Sequence, residues 1–335
     1  MLRVLIVDDS GFARRRIAQV LAHAPDIQVV GEAADGQSAV HMAQQLQPDL
    51  VTMDYEMPGM NGISALLLIR QLRPVPIIMI SSLTFAGARV TLQALEAGAA
   101  DFIVKNQIEA RQGEEFLLLV KIRALCQPKS APAPVTRPAV PAPAGRWQPR
   151  LIIIGASTGG PPIIRQILSA LPSNFAWPVL VVQHMPERFT RALAERLQDS
   201  GPLPAEEATD MKIMQPGHVY VAAGGRQLLC DAQMPLRMKV VEDGSAQLYR
   251  PSLDLSLGSA AKALGAAVLA LVLTGMGDDG VRGARWLRRA GGHLWVQDAQ
   301  SCVVNGMPQA MRDAGLVDAV LTPQEMGQRL ARQQW

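Results

Sequence analysis

The stretch Leu151-Ile-Ile-Ile-Gly-Ala-Ser157-Thr-Gly-Gly-Pro-Pro162 constrains the fold more than any other, because four branched apolar residues run straight into glycines, one serine and two prolines. An unbroken apolar run of this kind suits a central parallel strand covered on both faces. The glycines permit a sharp turn, and the prolines fit the first turn of a helix. Gly155-Ala-Ser157-Thr-Gly159 therefore has the spelling of the Gly-x-Ser-x-Gly nucleophile elbow. Two phosphate-binding readings fail on spelling. A dinucleotide fingerprint needs glycine where Ser157 stands and an acid closing the next strand, whereas Pro178 to Gln183 is followed by His184. A P-loop needs lysine after its second glycine, and Pro161 follows Gly160. For so short a motif, a serine that merely caps a helix is the plain alternative.

Neighbouring strand ends favour chemistry over capping. Trp177 to Gln183 reads as a second buried strand with His184 just past its end, and Ala266 to Leu273 reads as a third, followed by Thr274-Gly-Met-Gly-Asp-Asp279-Gly280. In an open parallel sheet, residues just beyond the carboxyl ends of the strands share one crevice. A hydroxyl is a poor nucleophile until a neutral imidazole takes its proton, and a buried carboxylate fixes the tautomer and stabilises the imidazolium. Backbone N–H groups at the start of the following helix are placed to bind an oxyanion. Of the five histidines, only His184 closes a strand; His23 and His41 lie in the first half, and His218 and His293 open strands. The acid is left open among Asp278, Asp279 and Asp298, any one of which can also be a helix cap.

The first half carries a second constellation. Leu2 to Val7 is an apolar strand ending in Asp8-Asp9, and Leu50 to Met53 is another ending in Asp54. Three carboxylates at adjoining strand ends repel one another unless a cation is present, and Mg²⁺ prefers such oxygen ligands. Capping of the helices that follow explains any one of them but not all three, since Ile77 to Ile80 then delivers Ser81 and Asp101 to Val104 delivers Lys105. A hydroxyl and an ammonium there suit a phosphoryl group on a carboxylate.

At this point the residues resemble known families. Gly-Ala-Ser-Thr-Gly-Gly at 155–160, Gln183-His184-Met185, Arg250-Pro-Ser-Leu-Asp254, Leu273-Thr-Gly-Met-Gly-Asp-Asp-Gly280 and Gln297-Asp-Ala-Gln-Ser-Cys-Val-Val304 are similar to the catalytic domain of the chemotaxis protein-glutamate methylesterases, the CheB family. The resemblance spans the second half and implies a phosphorylation-activated serine hydrolase. Its implied substrates are glutamate methyl esters on chemoreceptor signalling helices, with deamidation of receptor glutamines as a further activity. Carried over by motif, Ser157 is the nucleophile, His184 the base and Asp279 the orienting acid. The first half resembles a response-regulator receiver domain. That implies Asp54 as phosphoacceptor, Asp8 and Asp9 holding Mg²⁺ with it, Ser81 and Lys105 contacting the phosphate, Phe102 as the aromatic switch, and a chemotaxis histidine kinase as donor. The receiver family usually places proline after this lysine, often in a cis peptide, and Asn106 stands there instead. A non-proline residue resists the cis form by about 2.5–4 kcal/mol, so a differently shaped loop is expected.

The expected fold is α/β: two doubly wound parallel-sheet domains, a flavodoxin-like receiver over 1–125 with strand order 2-1-3-4-5 and a Rossmann-like methylesterase domain over 149–335. Between them, 126–148 is rich in proline and alanine and reads as a semi-rigid tether. The length and the 49% hydrophobic content suffice for two cores. A net charge of +3 is a weak argument for nucleic acid, so no nucleic-acid partner is expected. Arg14-Arg15-Arg16 fans around a helix as a solvated face, and the same reading is preferred for Arg285, Arg288 and Arg289. Met1 opens directly into a core strand and no apolar run is long enough to span a bilayer, so a cytoplasmic protein without membrane insertion is expected. Cys126, Cys230 and Cys302 have no metal-ligand spacing and are expected as reduced thiols; no cofactor is expected in the esterase half. The competing class is a receiver with a noncatalytic adaptor module, from which the complete Ser157, His184 and Asp279 set distinguishes this chain.

Overall fold

The computed structural model describes residues 1–112, 115–127, 147–231, 235–242 and 248–335. The chain divides into two compact units, Met1–Pro128 and Lys129–Trp335.

In the first unit, strands β1 (Leu2–Val7), β2 (Ile27–Ala33), β3 (Leu50–Asp54), β4 (Ile77–Ser81) and β5 (Asp101–Val104) alternate with helices α1 (Gly11–Leu21), α2 (Gly36–Leu46), α3 (Gly62–Leu72) and α4 (Phe85–Glu96). A two-residue hairpin of β6 (Arg111–Gln112) and β7 (Glu115–Phe116) precedes α5 (Leu117–Cys126). The five main strands are parallel in the order β2-β1-β3-β4-β5, as the sequence leads one to expect. The reason is burial on both faces: Leu50 to Asp54 and Ile77 to Ser81 are buried at every position, a pattern only a central strand tolerates. Helices start where short polar side chains cap them, Ser10, Asp35, Asn61 and Thr84 each accepting from the third backbone N–H beyond. Helix α5 runs through Cys126, the first residue of the expected tether, because Leu125 and Cys126 pack against the core that Leu118, Leu119 and Ile122 enter.

In the second unit a seven-stranded parallel sheet has the order β10-β11-β9-β8-β14-β15-β16. Its strands are β8 (Leu151–Ala156), β9 (Val179–Gln183), β10 (Ala205–Glu207), β11 (Val219–Val221), β14 (Val268–Val272), β15 (His293–Gln297) and β16 (Ala319–Leu321). Helices α6 (Gly160–Ser169), α7 (Glu187–Ser200), α8 (Leu253–Leu264), α9 (Val281–Arg289), α10 (Gly306–Asp313) and α11 (Pro323–Ala331) connect them, and the antiparallel pair β12 (Gln227–Asp231) and β13 (Arg237–Val241) packs beside α8. The chain leaves β8 toward β9 on one side and later returns to β14 on the other. The crevice past the carboxyl end of β8 is thus the topological switch point, where such sheets bind ligands.

Residues 128–146, which hold most of the proposed tether, lie outside the described residues. At its far end Trp147 already belongs to the second unit: its indole N–H donates to Ala266 O at 2.9 Å and its ring meets His293 at 4.3 Å and Trp335 at 5.9 Å. Trp147 is anchored there because an aromatic side chain finds edge-to-face partners that proline and alanine cannot offer. Cys230 and Cys302 are buried free thiols and Cys126 is half-buried. Burial pushes the Cys230 thiol up to about 12 and that of Cys126 up to about 11, which leaves both protonated and unreactive.

Candidate active site and phosphoacceptor pocket

The register of the second sheet places Ser157 and His184 side by side. Ala156 pairs with Gln183 across β8 and β9, so Ser157 and His184 are the next residues on adjacent strands, and the His184 N–H donates to Ala156 O at 3.0 Å. On the other side the Ser157 N–H donates to Thr274 O at 3.0 Å, which ties the serine to the loop after β14. The turn itself depends on glycine. Gly159 lies at φ 77°, the left-handed region, and a Cβ on Gly160 would sit 2.1 Å from Gln183 Oε1. Gln183 is buried and its Nε2 donates to Ser157 O at 2.8 Å, while the Gly160 N–H donates to the same oxygen at 3.0 Å. The serine's backbone is thus held by both neighbouring strands and by its own turn. Helix α6 begins three residues on, but Pro161 and Pro162 carry no N–H and the Gly160 N–H is bonded to Ser157 O, so the oxyanion donors expected in this first turn are absent and only the positive end of the helix faces the turn.

Among the three candidate acids the structure brings Asp279 to the imidazole. His184 Nε2 lies 2.8 Å from Asp279 Oδ2, with the two side chains 9% and 3% exposed. Asp278 is exposed, and Asp298 accepts from the N–H groups of Gln300 and Ser301 in a local turn. Asp279 does more than meet the imidazole. It accepts from Ser252 Oγ at 2.9 Å, from the Leu253 N–H at 2.7 Å and from the Asp254 N–H at 3.1 Å, so it caps the start of α8 from a different part of the chain. Burial works to raise its pKa, but the His184 hydrogen bond and charge and the two backbone N–H groups outweigh it and hold the carboxyl below its ordinary value.

A carboxylate that only accepts dictates the tautomer: Nε2 carries the proton and Nδ1 keeps its lone pair. His184 Nδ1 is buried and has no hydrogen-bond partner among the described residues. The ring is fixed further by Tyr249, stacked on it at 4.3 Å between centroids and 10° between planes. Sequence reasoning missed Tyr249 and Gln183 as parts of the site. Gln183 stood inside a quoted motif, whereas Tyr249 precedes one and carries no spacing signal.

In the first unit, the carboxylates of Asp8, Asp9 and Asp54 offer oxygens that all lie within 4.8 Å of one another. Asp8 and Asp54 are buried and Asp9 is exposed. Lys105 Nζ stands 2.9 Å from Asp54 Oδ2 and 3.3 Å from Asp8 Oδ2. Asp8 Oδ2 is nevertheless buried without a well-formed hydrogen bond, so it is free to ligate a cation; an all-carboxylate set of this kind fits Mg²⁺. Burial, with the neighbouring Asp8 charge and against the pull of Lys105, pushes Asp54 up to about 6. Arg14 ties the β1–α1 loop by donating to Asp8 O at 2.7 Å and pairs with Glu32. Ser81 is buried with its hydroxyl 2.7 Å from Thr91 Oγ1, turned into a local network and making no hydrogen bond to Asp54. Phe102 is buried on β5 beside the Asp101–Lys121 ion pair. Among the described residues the cis peptide is Arg250–Pro251, so Lys105–Asn106 is trans and enters a single 3₁₀ turn over Lys105–Gln107.

Comparison with known proteins agrees with both halves. Residues 152–330 match the family described as CheB methylesterase, and residues 4–113 match the response regulator receiver domain. A protein-glutamate methylesterase/protein-glutamine glutaminase of Saccharophagus degradans is 44% identical over 98% of each chain, and one of Pseudomonas putida is 42% identical over the same shares. The crystal structure of the Thermotoga maritima CheB methylesterase catalytic domain superposes with a TM-score of 0.54 and 36% identity, covering 56% of this chain and 99% of that one. No helix among the described residues is long and apolar enough to cross a membrane. The chain belongs to the CheB methylesterase family, with a response-regulator receiver domain ahead of the esterase domain.

Proposed function

We propose that this chain is a phosphorylation-activated serine esterase that hydrolyses glutamate methyl esters on chemoreceptors, and by the same route converts receptor glutamines to glutamates. The observation that carries the reading is the tautomer at His184: Nε2 is bonded to Asp279, and the unpaired Nδ1 lies one residue along from the Ser157 turn. Ser157 Oγ attacks the ester carbonyl while His184 Nδ1 takes its proton, and the tetrahedral oxyanion develops at the positive, N-terminal end of α6. The imidazolium then returns that proton to the departing methoxide, releasing methanol and leaving an acyl-serine. Water, deprotonated by the same nitrogen, releases glutamate and restores the serine. With glutamine the leaving group is ammonia, and the names borne by the relatives, which include glutaminase, support that extension.

Asp54 is the proposed phosphoacceptor, with a chemotaxis histidine kinase as donor and the cytoplasm as the site of action. Asp8, Asp9 and Asp54 would hold Mg²⁺, which supplies positive charge against the acids and the incoming phosphoryl oxygens. Lys105 would contact the phosphoryl group; Ser81, now bonded to Thr91, would leave it to do the same, and Phe102 would be repositioned in response. Methanol release from methylated receptor fragments, with and without a small-molecule phosphodonor, tests the reading. Release that rises with phosphodonor is expected; a Ser157→Ala protein retaining a tenth or more of the parent rate would overturn the serine mechanism.

A further inference from the structure

Helix α9 leaves the crevice two residues after Asp279 and presents Arg282, Arg285, Trp286 and Arg289 to solvent, positions i, i+3, i+4 and i+7 of one face. Arg288, which the sequence groups with Arg285 and Arg289, points elsewhere: it bonds Asp318 Oδ2 at 2.6 Å and Gly292 O at 2.8 Å. The exposed three differ from it. Arg285 and Arg289 make no ion pair with a carboxylate among the described residues, and the Arg289 guanidinium lies 5.7 Å from the centre of the Trp286 ring. The neighbouring acid Asp254 is committed to the Gly283 N–H at 2.8 Å. Trp286 is 61% exposed, a large apolar surface for a tryptophan on an otherwise charged helix.

Beside this stripe lies an open groove of about 320 Å³ between α8 and α9, whose lining includes Leu255, Gly258, Lys262, Arg282 and Trp286 and one acid, Asp254, which faces the Arg282 charge. Its floor is low because the residues there are small: a Cβ on Gly258 would meet only open space, and Gly283 lets the two helices approach so closely that a Cβ would lie 2.4 Å from Asp254 O. A groove of this shape takes a ridge of side chains, which a flat bilayer does not offer. Cations one helical turn apart face carboxylates one turn apart on a second helix, about 5.4 Å in each case.

We propose that this groove and stripe dock a glutamate-rich α-helix, the segment whose esters are hydrolysed in the adjoining crevice. The inference rests on the esterase reading, because hydrolysis there turns a neutral ester or amide into a glutamate carboxylate. Each turnover thus adds one negative charge to the docked segment, so partly processed segments are held more tightly than fresh ones.

The test uses the full chain and two helical peptides, each with one glutamyl methyl ester, flanked by glutamates three and four residues away or by glutamines. The parent is expected to prefer the glutamate peptide in kcat/KM by about tenfold at low salt, with the gap closing toward about 0.5 M salt. Arg285→Glu/Arg289→Glu should lose the preference, and Trp286→Ala should raise KM for both peptides. All three proteins should hydrolyse a small neutral methyl ester at equal rates. Binding of the labelled peptides, followed by anisotropy, reads the docking independently of turnover, so an inactive parent that still binds the glutamate peptide through these residues overturns the esterase reading alone. A charge-reversed protein that keeps the preference overturns the proposal. So does one that loses affinity for anionic vesicles while its peptide preference is intact, which would assign the stripe to a lipid surface.

Discussion

Replacing Asp279 by asparagine separates folding from chemistry in a way the hydrogen-bond geometry specifies. Oδ1 accepts from Ser252 Oγ and the Asp254 N–H, and Oδ2 accepts from the Leu253 N–H and His184 Nε2. Asparagine keeps one of these oxygens and puts an amino group in place of the other. A hydroxyl can rotate and an imidazole can change tautomer, but a backbone N–H can do neither. One of the Leu253 and Asp254 N–H groups is therefore left buried and unpaired whichever way the amide turns, at about 1–3 kcal/mol. Loss of a negative charge at the α8 start adds up to about 1–2 kcal/mol. The sum of about 2–5 kcal/mol corresponds to about 4–20 °C in melting temperature for a domain of this size. All five tryptophans, Trp147, Trp177, Trp286, Trp295 and Trp335, lie in the second unit, so tryptophan fluorescence follows its unfolding alone. Ser157→Ala is the control: its hydroxyl has no hydrogen-bond partner among the described residues, so its transition should stay within about 1 °C of the parent while turnover is abolished. Asp279→Asn should lose about 10³–10⁴-fold in turnover, because an amide N–H facing Nε2 moves the imidazole proton to Nδ1, the nitrogen that must accept from serine. The stability gap also has a pH signature. The folded pKa of Asp279 is depressed, so its contribution is present above the unfolded value near 3.8 and is lost as pH falls through the folded value; the two melting curves should converge only below about pH 4. An Asp279→Asn protein that melts within 1 °C of the parent at pH 7 would refute the capping argument.

Tyr249→Ala should lower kcat about 3- to 30-fold by removing a ring that stacks on the imidazolium, whereas Tyr249→Phe should stay near the parent; equal rates for all three would remove Tyr249 from the site. Gly160→Ala should destabilise the Ser157 turn by about 1–3 kcal/mol and lower turnover, since its Cβ would overlap Gln183 Oε1, and parent-like melting and turnover would count against that packing. Phosphotransfer should need Mg²⁺ and fail in Asp9→Ala and Asp54→Asn, checked by intact-mass measurement; full phosphorylation of Asp54→Asn at another residue would displace the assignment. A fragment of residues 147–335, which retains Trp147 and its partners, should release methanol faster than the unphosphorylated whole and ignore phosphodonor; a well-folded fragment that is no faster would exclude inhibition by the receiver.

Both sheets were legible because their strands are buried on two faces and end in polar residues, so the run Leu151 to Ala156 announces both a strand and the place where chemistry can sit. Ser157 and His184 followed from that rule. The acid did not follow from spacing, since Asp278 and Asp279 are adjacent; what separates them is a contact with Ser252 and Leu253, some 26 residues away in sequence. The direction of the Ser81 hydroxyl was equally hidden, because Thr91, its partner, belongs to the next helix. The grouping of Arg288 with the exposed arginines failed for the same reason: Asp318, which captures it, is thirty residues on.

The double attachment of Asp279 bears on how a protein of this kind would decay if its activity were no longer needed. Selection for a folded domain alone would keep the aspartate, since it caps the start of α8, and would keep Gly160 and Gln183 as packing partners. Ser157 would have no such protection, as its hydroxyl supports nothing in the fold. Drift would therefore erase the serine first and leave the aspartate as a fossil, so in a chain of this architecture an intact aspartate testifies to folding and an intact serine to use.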